Sequence, residues 1–298
     1  MSGGPKSDAE VGEFARSLGI PGIFDIHVHF MPEPVQEAVW RHFDSLPRPW
    51  GIRYRSNEGE RLRTLAGLGV TRHTALAYAH KPGMAAWLND YTLDLGACHS
   101  QVVPCFTFYP EPEAEDYVKD ALRRDGRLAK IHLQVGKFSP SEPQLDGVWE
   151  ELARMGIPVV IHAGAVKDGS GGEEWCGMEP VRRLLRQHPD LIVILAHLGA
   201  PDYEDAVALA QEFPELLFDS AMVLVEGERF RYPRVLLEFV RSSPHRILFG
   251  SDFPSFPHQY AAQVQGVTRH ADGPEWLRHV LWENATSLLN RATGERLG

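Results

Sequence analysis

The chain has 298 residues, 43% hydrophobic and 23% charged, the make-up of an ordinary folded protein with ample core. A net charge of −10 argues against a nucleic-acid partner. Three cysteines, Cys98, Cys105 and Cys176, without a Cys-x-x-Cys pair, exclude a disulfide framework or thiolate metal site and suit a reducing cytoplasm; no leader-like start or run of about 18 apolar residues points to secretion or a membrane.

In chain order, residues 8–18 read as an extra N-terminal helix, and the first apolar run, 23–29, ends in His27-Val28-His29. Side chains alternate on a strand, so His27 and His29 point the same way, and two neutral imidazoles aimed at one point suit a divalent metal. Further strand-like runs follow at 70–78, 102–108, 128–134, 158–162, 191–197, 216–220 and 247–252, making eight in all. Amphipathic stretches at 58–68, 84–97, 113–124, 146–155, 179–187, 202–212 and 233–241 separate them, and 274–290 supplies closing helices.

Strands alternating with helices imply parallel βαβ units, and eight of them close into an α/β, (β/α)8 TIM barrel. One domain is expected over 1–298, with the barrel core at about 22–270 and C-terminal helices within 274–291. Active sites of such barrels sit at the C-terminal strand ends. Here four runs end in a histidine or aspartate: His27 and His29, His162, His197, and Asp252. Alternation puts Val193, Leu195 and His197 on one face of their strand, and Leu248, Gly250 and Asp252 on one face of theirs.

Asp25-Ile26-His27-Val28-His29, Val160-Ile161-His162, Ala196-His197-Leu198-Gly199, Leu248-Phe249-Gly250-Ser251-Asp252-Phe253-Pro254 and Asn284-Ala285 span nearly the whole chain. In that order they resemble the amidohydrolase superfamily, specifically the amidohydrolase-related group (family 2) that includes aminocarboxymuconate-semialdehyde decarboxylase-like enzymes. The resemblance implies that His27, His29, His162 and Asp252 ligate a metal, with Asp252 also handling a proton. His197 is then a second-metal ligand or a positioned acid/base.

The fourth run decides between one ion and two. It reads Leu128-Ala129-Lys130-Ile131-His132-Leu133-Gln134, with Lys130, His132 and Gln134 of one parity. That resembles the Lys-x-His pattern of single-metal members, so one ion is favoured; the alternative makes Lys130 a carboxylated bridge between two. Three histidines and an aspartate select Zn2+ first, with Mn2+, Fe2+ or Co2+ also suited. Asp25 fits a supporting role beside His27 or His29.

The expected activity is metal-dependent hydrolysis of a small lactone, ester or cyclic amide; the alternative is non-oxidative decarboxylation of an aromatic or enoic acid. The substrate is a small molecule, carboxylate-bearing in the second case. Its contacts are expected from Arg41, Trp50, Arg53 and Arg55 in the loop 31–57, from His80 and Tyr109 after the second and third runs, and from His132. The loop 31–57 reads equally well as an amphipathic helix and solvated linker. Glycines in 163–175 suggest a mobile lid, whereas Glu226, Glu228, Arg229 and Arg231 read as a solvated face. A homodimer is the default assembly, being the commonest.

Overall fold

The computed structural model describes residues 3–47, 50–225 and 232–291. Among the described residues nine short strands run in parallel: β1 (Ile23–Asp25), β2 (Val70–Thr74), β3 (Val102–Val103), β4 (Cys105–Thr107), β5 (Leu128–His132), β6 (Val159–His162), β7 (Val193–Leu195), β8 (Leu217–Asp219) and β9 (Ile247–Leu248). They pair in the order β1-β2-β3 and β4 through β9.

Two junctions turn these into one ring. Pro104 separates β3 from β4, because a residue without an N–H cannot donate to the ladder; its carbonyl instead accepts from Arg127 N at 2.9 Å. The run expected as one strand therefore occupies one barrel position in two pieces. At the other seam, Ile26 N donates to Phe249 O at 2.9 Å, Asp252 N to His27 O at 2.8 Å and His29 N to Phe253 O at 2.7 Å. The result is the eight-position TIM barrel.

The barrel interior packs Phe24, Ile26, Leu76, Val103, Cys105, Leu128, Val160, Ile194, Ala196 and Leu248 against Leu288 and Leu289 of the C-terminal helices. Trp282 closes this end, its ring 5.8 Å from Phe24. The N-terminal segment forms a turn, Asp8–Glu10, and a helix, Val11–Ser17, as the pattern predicts. Asp8 fastens it to the barrel by accepting from Tyr54 OH at 2.6 Å and Ala261 N at 3.0 Å.

One helix escapes the periodicity reading, Tyr260–His270, whereas Glu33–Ser45 takes up much of 31–57, in keeping with the helix-and-linker reading of that stretch. Two strand expectations are also corrected. β5 ends at His132, and the chain passes into a helical turn, Leu133–Gly136, so Gln134 does not extend the strand. On β7 the inward residues are Ile194 and Ala196, while Val193 and Leu195 pack outside. His197 nevertheless reaches the interior end, because it adopts left-handed backbone, φ 57°, which reverses the alternation.

Candidate metal centre

All five predicted strand-end residues meet at the C-terminal mouth of the barrel. His27 is fully buried, with Nδ1 2.9 Å from Asp219 Oδ2 and Nε2 3.6 Å from Asp252 Oδ1. His29 holds Nδ1 3.1 Å from Leu76 O and Nε2 3.0 Å from Asp252 Oδ1. His197 places Nδ1 2.9 Å from Ala221 O. In each ring the acceptor takes the Nδ1 proton, which leaves an Nε2 lone pair facing the centre.

Nitrogen or carboxylate oxygen atoms of His27, His197 and Asp252 all lie within 4.8 Å of one another. The tightest group thus includes His197, which the resemblance left between ligand and acid/base. His162 lies alongside, its ring 4.8 Å from that of His197. Its Nε2 is buried and has no hydrogen-bond partner among the described residues. A buried nitrogen without a partner costs free energy, and a cation at the centre would satisfy it. Imidazole lone pairs with one carboxylate fit a divalent transition metal.

Strain accompanies this arrangement. His197 and Asp252 both have positive φ, 57° and 67°, which L-residues adopt at a cost of roughly 1–2 kcal/mol. Hydrogen bonds hold them there, from His197 N to Asp219 Oδ1 at 3.0 Å and from Asp252 N to His27 O at 2.8 Å. Gly250 is required for the same packing, since a Cβ there would sit 2.7 Å from the Cβ of His27.

Asp219, at the end of β8, is the residue that sequence reasoning missed. Its carboxylate accepts from His27 Nδ1, from His197 N and from Ala221 N, the last two at 3.0 Å. Burial pushes this carboxyl up, but His27, His197 and Lys130 more than offset that and hold it below the usual range. Burial, with Lys130 nearby, lowers His27 to about 3, so its ring is neutral at working pH. The available signal was its place at a strand end, equivalent to that of Asp252.

Asp25, expected to support His27 or His29, does so through the backbone N–H of His27 and does not touch either ring. Oδ1 accepts from His27 N at 3.1 Å and Ser251 N at 3.0 Å, and Oδ2 from Tyr260 OH at 2.8 Å. It stitches β1 to the segment after β9. Lys130 lies fully buried beneath the cluster, Nζ 3.3 Å from His27 Nε2, and burial lowers it to about 8.

The other predicted residues scatter. His132 stacks on His162 at 3.7 Å, and Tyr78, not singled out by sequence, packs 5.1 Å from His132. Tyr109 donates to Gly136 O at 3.2 Å. Trp50 donates from Nε1 to Ser255 O at 2.8 Å. Arg41 pairs with Glu37 at 3.5 Å, Arg55 pairs with Asp44, and Arg53 lies over the ring of Tyr54. None of these guanidiniums bonds to a residue of the cluster. His80 is exposed and lines an open cleft with Val35, Lys81, Gly83, Met84 and Trp87.

The glycine-containing loop after β6 is tied down at two points. Gln134 donates to Val166 O and accepts from Val166 N, both at 2.7 Å. Farther along, Asp168 Oδ2 lies 3.0 Å from His42 Nε2. Glu226, Glu228, Arg229 and Arg231 lie outside the described residues.

Comparison with known proteins follows this geometry. The amidohydrolase family profile matches residues 24–291. The chain belongs to the amidohydrolase family. It is 24% identical over 297 residues to 6-methylsalicylic acid decarboxylase of Penicillium expansum, covering 84% of this chain and 90% of that one. Among solved structures, 5-carboxyvanillate decarboxylase from Sphingomonas paucimobilis aligns with a TM-score of 0.66 at 17% identity, over 91% of this chain and 99% of that one. A putative 2-pyrone-4,6-dicarboxylic acid hydrolase from Pseudomonas putida aligns at 0.60 with 16% identity, over 91% and 98%. This amidohydrolase is accordingly an enzyme of the hydrolase or carboxy-lyase type. No helix among the described residues is long and apolar enough to cross a membrane.

Proposed function

We propose that this amidohydrolase is a zinc-dependent decarboxylase of a small aromatic carboxylic acid. The observation that carries the choice within the family is the similarity to a decarboxylase over 84% of the chain. His27, His29, His162 and Asp252 hold the ion, and Asp219 fixes the ring of His27. A divalent cation there supplies electrophilic pull on the oxygens of the bound acid.

In the reaction the bond between a substrate carbon and its carboxylate breaks, the electron pair stays on that carbon, and carbon dioxide leaves. A proton must then reach the carbon, with no water consumed. His197 is the proton carrier. Its Nδ1–H is anchored on Ala221 O, so Nε2 takes up a proton and delivers it, with Asp252 nearby to stabilise the transient imidazolium.

Hydrolysis is the second reading, favoured by Asp252. Burial raises this carboxyl, but His29, His27 and His197 outweigh it and hold it below the usual range. That makes it a weak base, suited to take a proton only from water that a cation at the centre would acidify.

The test is metal analysis followed by product analysis on zinc-loaded protein. About one zinc per chain, absent from the His27→Ala/His29→Ala variant, is expected. Incubation with 6-methylsalicylate and other hydroxybenzoates should release carbon dioxide, and Asp252→Asn should abolish this with folding intact. Acid release from lactones without carbon dioxide from any aromatic acid would replace the decarboxylase with a hydrolase. Two ions per chain would assign Lys130 as a carboxylated bridge.

A further inference from the structure

His132 differs from His27, His29 and His197 in the direction of its hydrogen bonding. It caps the turn Leu133–Gly136, and its Nδ1 accepts from Val135 N at 3.3 Å. An N–H facing Nδ1 requires a lone pair there, so the ring is neutral and its proton sits on Nε2. His27, His29 and His197 have the opposite arrangement, with Nδ1 on an acceptor. Where they offer lone pairs, His132 offers an N–H. That Nε2 has no partner among the described residues.

Tyr78 provides a second donor. Its ring lies 5.1 Å from that of His132 and meets His29 edge-on at 5.6 Å, and its hydroxyl has no hydrogen-bond partner among the described residues. His132 and His162, stacked within 13° of parallel, add a flat wall. Lys130 is buried against His27, and Arg41 and Arg55 pair with Glu37 and Asp44.

We propose that Tyr78 Oη and His132 Nε2 are a pair of neutral hydrogen-bond donors that orient the substrate, and that the substrate is a planar acid bearing one carboxylate. The assignment rests on the decarboxylase reading for its substrate class. Two neutral donors beside one ion complement a single negative charge. Among the described residues no guanidinium bonds to this cluster, so a second carboxylate would be desolvated there without one to pair it.

Calorimetric titration of zinc-loaded protein with benzoate, salicylate and phthalate tests this without requiring turnover. Tyr78→Phe and His132→Phe should each retain zinc and bind salicylate about tenfold or more weakly, since each loses a bond to a charged group. His132→Asn should recover most of the affinity. An asparagine at this position keeps an oxygen for Val135 N–H and retains an N–H donor. Phthalate should bind more weakly than benzoate.

Wild-type affinity for salicylate in both zinc-loaded phenylalanine variants would overturn the proposal. So would preference for phthalate, or failure of the wild type to bind either monocarboxylate. If His132→Phe does not fold, Tyr78→Phe decides. Absence of carbon dioxide release from every acid, with the binding losses intact, would defeat the decarboxylase reading and leave the donor pair standing.

Discussion

A single buried carboxylate holds together much of this centre. Asp219 accepts three N–H groups, from His27, His197 and Ala221, and so fixes one ring and two backbone segments together. Asp219→Asn replaces one oxygen with an amino group that faces a donor. Zinc affinity should fall about 10–100-fold, as measured by chelator competition, because the His27 tautomer is no longer enforced. The free energy of urea unfolding should fall as well, by about 1–3 kcal/mol for an unsatisfied buried group. Unchanged zinc affinity would remove Asp219 from the centre. Asp25 is the neighbour that sequence offers because it adjoins His27-Val28-His29; proximity in the chain does not reveal that its carboxylate reaches the His27 backbone, Ser251 and Tyr260 and leaves the rings to Asp219.

Among the elements, the segment following β5 links the centre to its surroundings. His132 ends the strand, the turn Leu133–Gly136 follows, and Gln134 clamps Val166 in the loop after β6. That loop carries Gly169, Gly171 and Gly172 at positive φ, and a Cβ on Gly172 would lie 2.3 Å from Gln134 O. Gln134→Ala should free the loop locally. Hydrogen exchange of a peptide covering 164–172 should accelerate about 5- to 30-fold, corresponding to roughly 1–2 kcal/mol for the lost amide bonds, with little change in global melting. Equal exchange rates would mean that the contact between His42 and Asp168 suffices to hold the loop. Glycine density signalled a lid in the sequence, but the clamp was hidden because alternation placed Gln134 on a strand.

For the molecule as a whole, acid sensitivity follows from histidines enclosed in the barrel. His73 on β2 is fully buried, its Nδ1 2.9 Å from Thr74 O and its Nε2 without a partner among the described residues. Burial lowers it to about 4, with His99 adding to the effect. The unfolded chain binds this proton below about pH 6.5, whereas the folded chain resists until about pH 4. Its contribution is therefore complete above 6.5 and is lost as pH falls through that window, by about 3 kcal/mol in total. In His73→Leu the dependence of urea stability on pH should be shallower there, by up to about 1.4 kcal/mol per pH unit. Identical slopes would show that His73 is protonated in the folded state.

The eight apolar runs, the helices between them and the histidines and aspartate at the strand ends were all legible in the sequence, because strand and helix periodicity and the C-terminal location of barrel sites are local or fold-wide rules. Tertiary structure alone decided which buried groups face one another. Pro104 divides a strand, left-handed backbone turns His197 inward against the alternation, and Asp219 bonds a histidine 192 positions away. The direction of the His132 hydrogen bond likewise depends on the turn after β5, whose capping N–H comes from a residue that periodicity assigned beyond the strand. Such contacts depend on where each strand stops and on what the ring of strands encloses, and neither is encoded in the spacing of apolar residues.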